Sequence, residues 1–175
     1  MLRAILLTGT VAAGKTVVAA EVGWQLCERE VPVAVIDLDW LAWVYLGDGG
    51  HESERIDELI AANLAAMLPN YRAAGIAHYV LARALLKRAT LEGVRAALAA
   101  VDLKVIRLDA SPATLEARIR ARDAGHERGE HLRELPGFTR AVEEAGLEDA
   151  SVSNDGRSVV QVAAEVLRVA GWEAK

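Results

Sequence analysis

Gly9-Thr10-Val11-Ala12-Ala13-Gly14-Lys15-Thr16 is the stretch of this sequence that decides its fold, and it fits the pattern G-x-x-x-x-G-K-T. Residues 4–8, directly before it, form a continuous apolar run, which is typical of a short strand buried on both faces. Residues 15–30, directly after it, place apolar side chains at helical spacing, and Pro32 ends that pattern. The stretch therefore predicts a glycine-rich loop that joins a buried strand to a helix, which is the structural context of a P-loop.

A loop of this kind is suited to binding phosphate groups. Its backbone N–H groups point inward, its glycines permit close approach, and the following helix adds the partial positive charge of its N-terminus. In this motif Lys15 reaches the β- and γ-phosphates of a nucleotide, and the Thr16 hydroxyl ligates Mg²⁺. The sequence thus predicts ATP and Mg²⁺ as cofactors and Lys15 as catalytic. The predicted nucleotide-binding residues of this segment are Gly9, Thr10, Ala12, Ala13, Gly14, Lys15, Thr16 and Val17.

Further along the chain, short apolar or β-branched runs alternate with segments of helical periodicity. The short runs predict strands at residues 33–36, 76–81, 103–108 and 150–153. The periodic segments predict helices at residues 53–68, 90–99, 112–122, 139–145 and 159–170. This alternation predicts an α/β fold with a parallel five-stranded sheet and helices on both faces. A single domain, residues 1–175, accounts for the chain.

Composition and charge narrow the class of protein. Hydrophobic residues make up 53% and charged residues 26% of the 175 residues, which is ordinary for a globular protein. The net charge of -5 argues against a nucleic-acid partner, because such proteins usually present a basic surface. One cysteine, Cys27, excludes an internal disulfide framework. We find no apolar run of membrane-spanning length and no signal-peptide pattern, so we expect a cytoplasmic protein without a membrane partner.

With these motifs the chain resembles the P-loop small-molecule kinases, the group that contains adenylylsulfate, shikimate, gluconate and nucleoside monophosphate kinases and chloramphenicol phosphotransferase. The resemblance covers nearly the whole chain in element order and length. The sequence has no guanine-recognition motif and no separate Walker B strand ending in Asp-Glu. Leu81-Ala82-Arg83-Ala84 stands where shikimate kinases carry a glycine cluster, and Asp37-Leu38-Asp39 stands where adenylylsulfate kinases carry Asp-Gly-Asp. The specific member of the group is therefore not identified.

Asp37 and Asp39 follow the second predicted strand, at the edge of an α/β sheet where ligands bind. Their spacing of two residues predicts that both carboxylates point the same way. The resemblance implies that Asp37 lies on the Mg²⁺ side, as base or metal ligand, and that Asp39 holds the acceptor hydroxyl. It also places the acceptor pocket near Trp40, which either stacks on the acceptor or packs onto the sheet, whereas we expect Trp43 in the core.

Three arginines are candidates for contacts with phosphates or with the acceptor. Arg83 follows the third predicted strand, where similar kinases often have a basic residue that contacts the acceptor. Arg118 and Arg122 lie four residues apart on one face of a predicted helix. The resemblance to nucleoside monophosphate kinases implies that Arg118 stacks over adenine and that Arg122 reaches the phosphates as a catalytic group. Planar, forked guanidinium groups suit both roles.

The resemblance also implies a short lid and an adenine-binding loop. The charged segment at about residues 123–135 is the predicted lid, from which Arg128 and Arg133 are further candidates for phosphate contacts. His126 and His131 lie in this segment without metal-ligand spacing, and we expect them to be solvated. Asn154, in the loop after the last predicted strand, is predicted to lie near adenine.

Two functions are consistent with these features. The first is an ATP-dependent kinase that transfers the γ-phosphoryl group to a hydroxyl of a small metabolite or antibiotic, acting as a monomer or homodimer. The second is an ATP-binding switch or ATPase that acts on a protein partner. The pair Asp37 and Asp39, together with a lid, favours the kinase, because a switch does not need an acceptor site.

Overall fold

The computed structural model describes residues 2–44, 54–99 and 101–172. The strands are β1 (Arg3–Thr8), β2 (Val33–Asp37), β3 (His78–Ala82), β4 (Asp102–Asp109) and β5 (Ala150–Ser153). The helices are α1 (Lys15–Cys27), α2 (Glu54–Ala73), α3 (Arg88–Leu98), α4 (Pro112–Arg122), α5 (Gly125–Ala145) and α6 (Val159–Ala170). A short 3₁₀ helix, Leu38–Ala42, follows β2. The predicted alternation of strands and helices is confirmed.

The five strands form one parallel sheet in the order β2-β3-β1-β4-β5. β1 lies in the middle, and its apolar residues are buried because helices cover both faces of the sheet. The register places Leu7 of β1 and Asp37 of β2 on either side of Ala82 in β3. The carboxyl ends of these three strands therefore meet at one edge, which brings the glycine-rich loop, the residues after Asp37 and Arg83 together.

Two apolar cores lie on opposite faces of this sheet. α1, α4 and α6 pack against one face, with Val22, Ile119 and Val166 among the buried residues. α2 and α3 pack against the other face, represented by Leu64 and Val94. Each helix buries one side only. No helix of the described residues is long and apolar enough to cross a membrane.

Two helices extend further than the sequence predicts, and each contains a proline. α2 continues to Ala73 with Pro69 inside it. α5 begins at Gly125 and contains Pro136, so the predicted lid segment and the helix predicted at residues 139–145 form one helix. A proline removes a single backbone donor, and the buried side chains Leu135 and Val142 hold α5 on both sides of Pro136. The separate helix predicted at residues 139–145 is therefore wrong.

Candidate active site

The loop between β1 and α1 adopts backbone conformations that favour glycine. Gly9 has φ of 137° and Gly14 has φ of 92°, and both values lie in a region that residues with side chains rarely adopt. A Cβ atom on Gly9 would lie 2.6 Å from the carbonyl oxygen of Leu108, and one on Gly14 would lie 2.9 Å from the Asn154 amide nitrogen. The loop therefore has the close-packed backbone of a phosphate cradle, as the sequence predicts.

Lys15 is folded back onto this loop. Its Nζ donates hydrogen bonds to the carbonyl oxygens of Gly9 at 3.1 Å and Thr10 at 3.0 Å. Burial lowers the pKa of the ammonium from 10.5 to about 8, although Asp39 and Asp37 favour the charged form. Phosphate oxygens would supply the negative charge that this partly buried ammonium needs.

Thr16 and Asp37 meet at the start of α1, as their predicted common role requires. Thr16 Oγ1 donates to Asp37 Oδ2 at 2.6 Å, and the backbone N–H of Asp39 donates to Asp37 Oδ1 at 3.1 Å. A hydroxyl and a carboxylate are the hard oxygen ligands that Mg²⁺ prefers, and Mg²⁺ commonly takes only one or two protein ligands beside phosphate and water. In the described residues no group of three or more His, Cys, Asp or Glu is arranged to hold a metal. The pair therefore fits a Mg²⁺ ion that is bound together with nucleotide phosphates.

Arg83 is held between two carboxylates at the end of the sheet. Its Nη1 contacts Asp39 Oδ1 at 2.6 Å, and its Nη2 contacts Asp57 Oδ1 at 2.7 Å. Thr90 Oγ1 donates to the other oxygen of Asp57 at 2.6 Å. The Arg83 Nε is buried without a hydrogen-bond partner. Both terminal nitrogens of Arg83 thus bind carboxylate oxygens. The main consequence is that Arg83 orients the side chain of Asp39.

Asp39 lies at the wall of the cleft beside this pair. Its side chain is 59% exposed, and desolvation in the cleft raises its pKa although Arg83 acts in the opposite direction. One carboxylate oxygen is bound by Arg83, which leaves the other available to accept a hydrogen bond from a hydroxyl group.

Arg118 and Asn154 form a polar contact under the glycine-rich loop. Asn154 is buried, and its amide donates to the Ala13 carbonyl at 2.6 Å. Arg118 donates to the Asn154 carbonyl at 3.0 Å and to the Ala12 carbonyl at 3.3 Å. The structure therefore brings both predicted nucleotide-binding residues to the loop. In this arrangement the Asn154 side chain supports the loop backbone.

Arg122 joins a second cluster, which centres on Asp123. Asp123 is 5% exposed at its side chain, and its oxygens contact Arg122 Nε at 2.5 Å and His131 Nδ1 at 2.7 Å. Arg128 Nε donates to the Asp123 carbonyl at 2.7 Å. The hydrogen bonds from Arg122 contribute most to lowering the pKa of Asp123 to about 2. The prediction that His131 is solvated is wrong, because this ring is 30% exposed and bonded to a buried carboxylate.

An open cleft of about 520 Å³ lies between α5, α2, the start of α3 and the end of the sheet. Asp39, Arg83, Trp43, His131 and Phe138 are among the residues that line it. This volume falls in the range of small-molecule sites. The cleft opens beside Asp39, and so a small molecule bound there would lie close to the phosphate loop.

Trp43 differs from its predicted position, and Trp40 does not pack onto the sheet. Their rings stack with centroids 4.6 Å apart, and they are 66% and 60% exposed. The expectation that Trp43 belongs to the core is wrong, because its ring lines the cleft. The 3₁₀ helix departs from α-helical spacing, so the periodicity of the sequence does not show that both rings are exposed.

The sequence analysis did not assign a role in the site to four residues, which are Asp57, Thr90, Asp123 and His131. Asp57 lies in the first turn of α2, where a carboxylate is expected for the helix dipole alone. Asp123 follows Arg122 directly in a charged segment. The one sequence signal for a role of Asp123 is its position next to the candidate Arg122. Nothing in the sequence indicates that Asp57 contacts Arg83.

Comparisons with known proteins agree with this geometry. A family model described as an AAA domain matches residues 5–136. No curated protein matches the sequence. The solved structure of the APS kinase CysC of Mycobacterium tuberculosis in complex with AMPPNP and APS is 24% identical over 96% of both chains, with a TM-score of 0.64.

Two other kinases have the same fold. A gluconokinase from Sinorhizobium meliloti is 16% identical over 97% of this chain and 91% of its own, with a TM-score of 0.66. The shikimate kinase from Acinetobacter baumannii in complex with shikimate is 16% identical over 97% of this chain and 93% of its own, with a TM-score of 0.61. These likenesses show the fold, and the predicted resemblance to P-loop small-molecule kinases is confirmed.

Proposed function

This chain belongs to the AAA domain family and has the fold of P-loop small-molecule kinases, and from that premise we propose that it is an ATP-dependent kinase acting on a hydroxyl group of a small molecule. One observation carries the proposal. Asp37 accepts a hydrogen bond from Thr16 of the phosphate loop, and Asp39, two residues later, lines an open cleft. The same short segment thus borders a phosphate site and a site for a second substrate.

The phosphate side of the site would hold the nucleotide. The backbone of residues 9–14, with the ammonium of Lys15, is suited to the β- and γ-phosphates. Arg118 lies against the loop, and Arg122 stands at the end of the same helix. Thr16 and Asp37 would hold Mg²⁺, which neutralises charge on the phosphate oxygens when it is bound.

The acceptor side is organised around Asp39. Arg83 fixes one of its oxygens, and the neighbouring pair Asp57 and Thr90 fixes Arg83 in turn. The raised pKa of Asp39 brings the carboxylate closer to the value at which it accepts a proton efficiently. Asp39 therefore orients the acceptor hydroxyl and takes its proton.

In the transfer step the acceptor oxygen forms a bond to the γ-phosphorus while the bond from this phosphorus to the β,γ-bridging oxygen breaks. The hydroxyl proton passes to Asp39 and the electron pair of the broken bond stays on ADP. Lys15 and Arg122 stabilise the charge that spreads over the transferred group. Water must be kept out of this site during transfer, and α5 contributes His131 and Phe138 to one wall of the cleft.

The test is the rate of ADP release from ATP and Mg²⁺ across a panel of nucleosides, nucleotides, sugars, sugar acids, aminoglycosides and adenylylsulfate. Asp39→Asn is the matched variant, because it keeps the shape of the side chain and removes its charge. We expect one class of hydroxyl compound to raise ADP release well above the background, and Asp39→Asn to remove the increase.

A low rate that no compound raises, and that Asp39→Asn leaves unchanged, would contradict the kinase. That result would favour the alternative of an ATP-binding switch or ATPase with a protein partner. Direct detection of the phosphorylated compound by mass spectrometry separates true transfer from stimulated hydrolysis.

A further inference from the structure

Asp123 connects two helices at the edge of the acceptor cleft. It lies between Arg122, the last residue of α4, and Gly125, the first residue of α5. Both oxygens of its buried carboxylate accept from Arg122, and Oδ2 also contacts His131 Nδ1 at 2.7 Å. A single side chain thus holds an arginine predicted to reach the phosphates and a histidine that lines the cleft.

The contact with Asp123 determines which nitrogen of His131 is free. The pKa of Asp123 is lowered to about 2, so its carboxylate is ionised at neutral pH and only accepts hydrogen bonds. Nδ1 of His131 must therefore carry a hydrogen and donate it. In the neutral ring this leaves Nε2 as an acceptor, and His131 is 30% exposed.

The position of His131 on α5 directs it toward the cleft. His131, Leu135, Phe138 and Val142 recur at spacings of four and three residues, which place them on one face of a helix. Leu135 and Val142 are buried, whereas His131 and Phe138 line the cleft together with Asp39. The buried residues anchor α5, and the other two form the wall opposite the end of the sheet.

We propose that His131 binds the phosphoryl acceptor, with its Nε2 contacting a polar group such as a hydroxyl of that molecule, and that Asp123 is the positioning residue that fixes the ring. The proposal rests on the proposed kinase function and adds a binding residue to it. It also separates two roles. His131 acts on the acceptor alone, whereas Asp123 affects both substrates because it holds Arg122 as well.

Matched variants test this separation. His131→Asn retains an N–H group near the position of Nδ1 and removes Nε2, and we expect it to raise the KM for the acceptor about tenfold while the KM for ATP stays unchanged. Asp123→Asn should raise both KM values. His126→Asn, an exposed histidine of the same segment, is the control and should alter neither.

A second measurement reports on the ring directly. In the free protein, ¹⁵N–¹H correlations of the His131 ring should show a protonated Nδ1, and Asp123→Asn should change them. Addition of the acceptor should then shift the Nε2 and Cε1 signals of His131. A ring protonated on Nε2 alone would overturn the positioning by Asp123.

Different experimental results would overturn the kinase function and the role of His131. An acceptor that is phosphorylated with an unchanged KM in a folded His131→Asn protein would overturn the role of His131 and leave the kinase function in place. If no compound of the panel is phosphorylated, the kinase function fails and this inference fails with it.

Discussion

Thr16 Oγ1 donates a 2.6 Å hydrogen bond to Asp37 Oδ2, although 21 residues separate the two in the chain. This bond joins the first turn of α1 to the end of β2. It places a hydroxyl and a carboxylate, the two predicted Mg²⁺ ligands, within reach of one ion.

Thr16→Val removes the hydroxyl while keeping the branched shape of the side chain. We expect ADP release to fall about a hundredfold, because one metal ligand is lost from the phosphate site. The rate measured against Mg²⁺ concentration should show a higher requirement for the metal. Thr16→Ser keeps the hydroxyl and is the control. Equal rates in the wild type and Thr16→Val would exclude Thr16 as a ligand.

The lowered pKa of Lys15 predicts that the protein takes up protons when it binds a nucleotide in mildly alkaline solution. Its pKa is lowered to about 8 by burial, so at about pH 8.5 most of the free protein carries a neutral amine. Phosphates favour the ammonium form and raise this pKa, so binding of AMPPNP should take up a fraction of a proton. Calorimetry in buffers of different ionisation enthalpy measures it. Lys15→Arg stays charged at this pH and should show no uptake.

Gly9→Ala should disrupt the phosphate loop. The new Cβ would lie 2.6 Å from the Leu108 carbonyl oxygen, and the φ of 137° disfavours any side chain. We expect destabilisation by roughly 1–3 kcal/mol and loss of nucleotide binding, measured by urea unfolding and calorimetry. Gly137→Ala is the matched control, because a Cβ there meets no atom within 4 Å. In helix α5 the control should be neutral or slightly stabilising.

Asn154→Ala should weaken the support under the same loop. The substitution leaves the Ala13 carbonyl without its 2.6 Å donor and Arg118 without one acceptor, in a buried position. An unpaired buried group costs about 1–3 kcal/mol in the free energy of unfolding. Urea unfolding measures this loss, and Ser153→Ala at an exposed neighbouring position is the control. Equal losses in both variants would count against a specific role for the Asn154 amide.

The lowered pKa of Asp123 predicts that the difference in stability between the wild type and Asp123→Asn depends on pH. Its folded-state pKa of about 2 lies below the ordinary value of 3.8, so its contribution is present above pH 3.8 and is lost as the pH falls toward 2. Asp123→Asn should therefore lower the Tm at neutral pH, and the difference from the wild type should shrink below about pH 4. Thermal unfolding at several pH values tests this. A Tm difference that stays constant down to pH 2 would contradict it.

Much of the fold could be predicted from the sequence because its signals are local. The apolar run of β1, the glycine-rich loop and the periodicity of α1 are each set by neighbouring residues, and all three are confirmed. The helix prediction failed at α5, since the predicted lid at about residues 123–135 and the helix predicted at residues 139–145 belong to one helix that contains Pro136. Trp43 was misplaced for a related reason, because a 3₁₀ helix breaks the spacing from which burial is inferred.

The sequence alone thus determined the phosphate loop, the pair Asp37 and Asp39, and the alternation of strands and helices. These features depend on backbone conformation and on the burial of short apolar runs. Only the tertiary structure decided that Asp57 reaches Arg83 and that Asp123 holds His131 in the cleft. The sequence around a carboxylate in a charged stretch looks the same whether the carboxylate is hydrated or paired with a cation distant in the chain. The packing of the helices around the sheet determines which of these two environments it has.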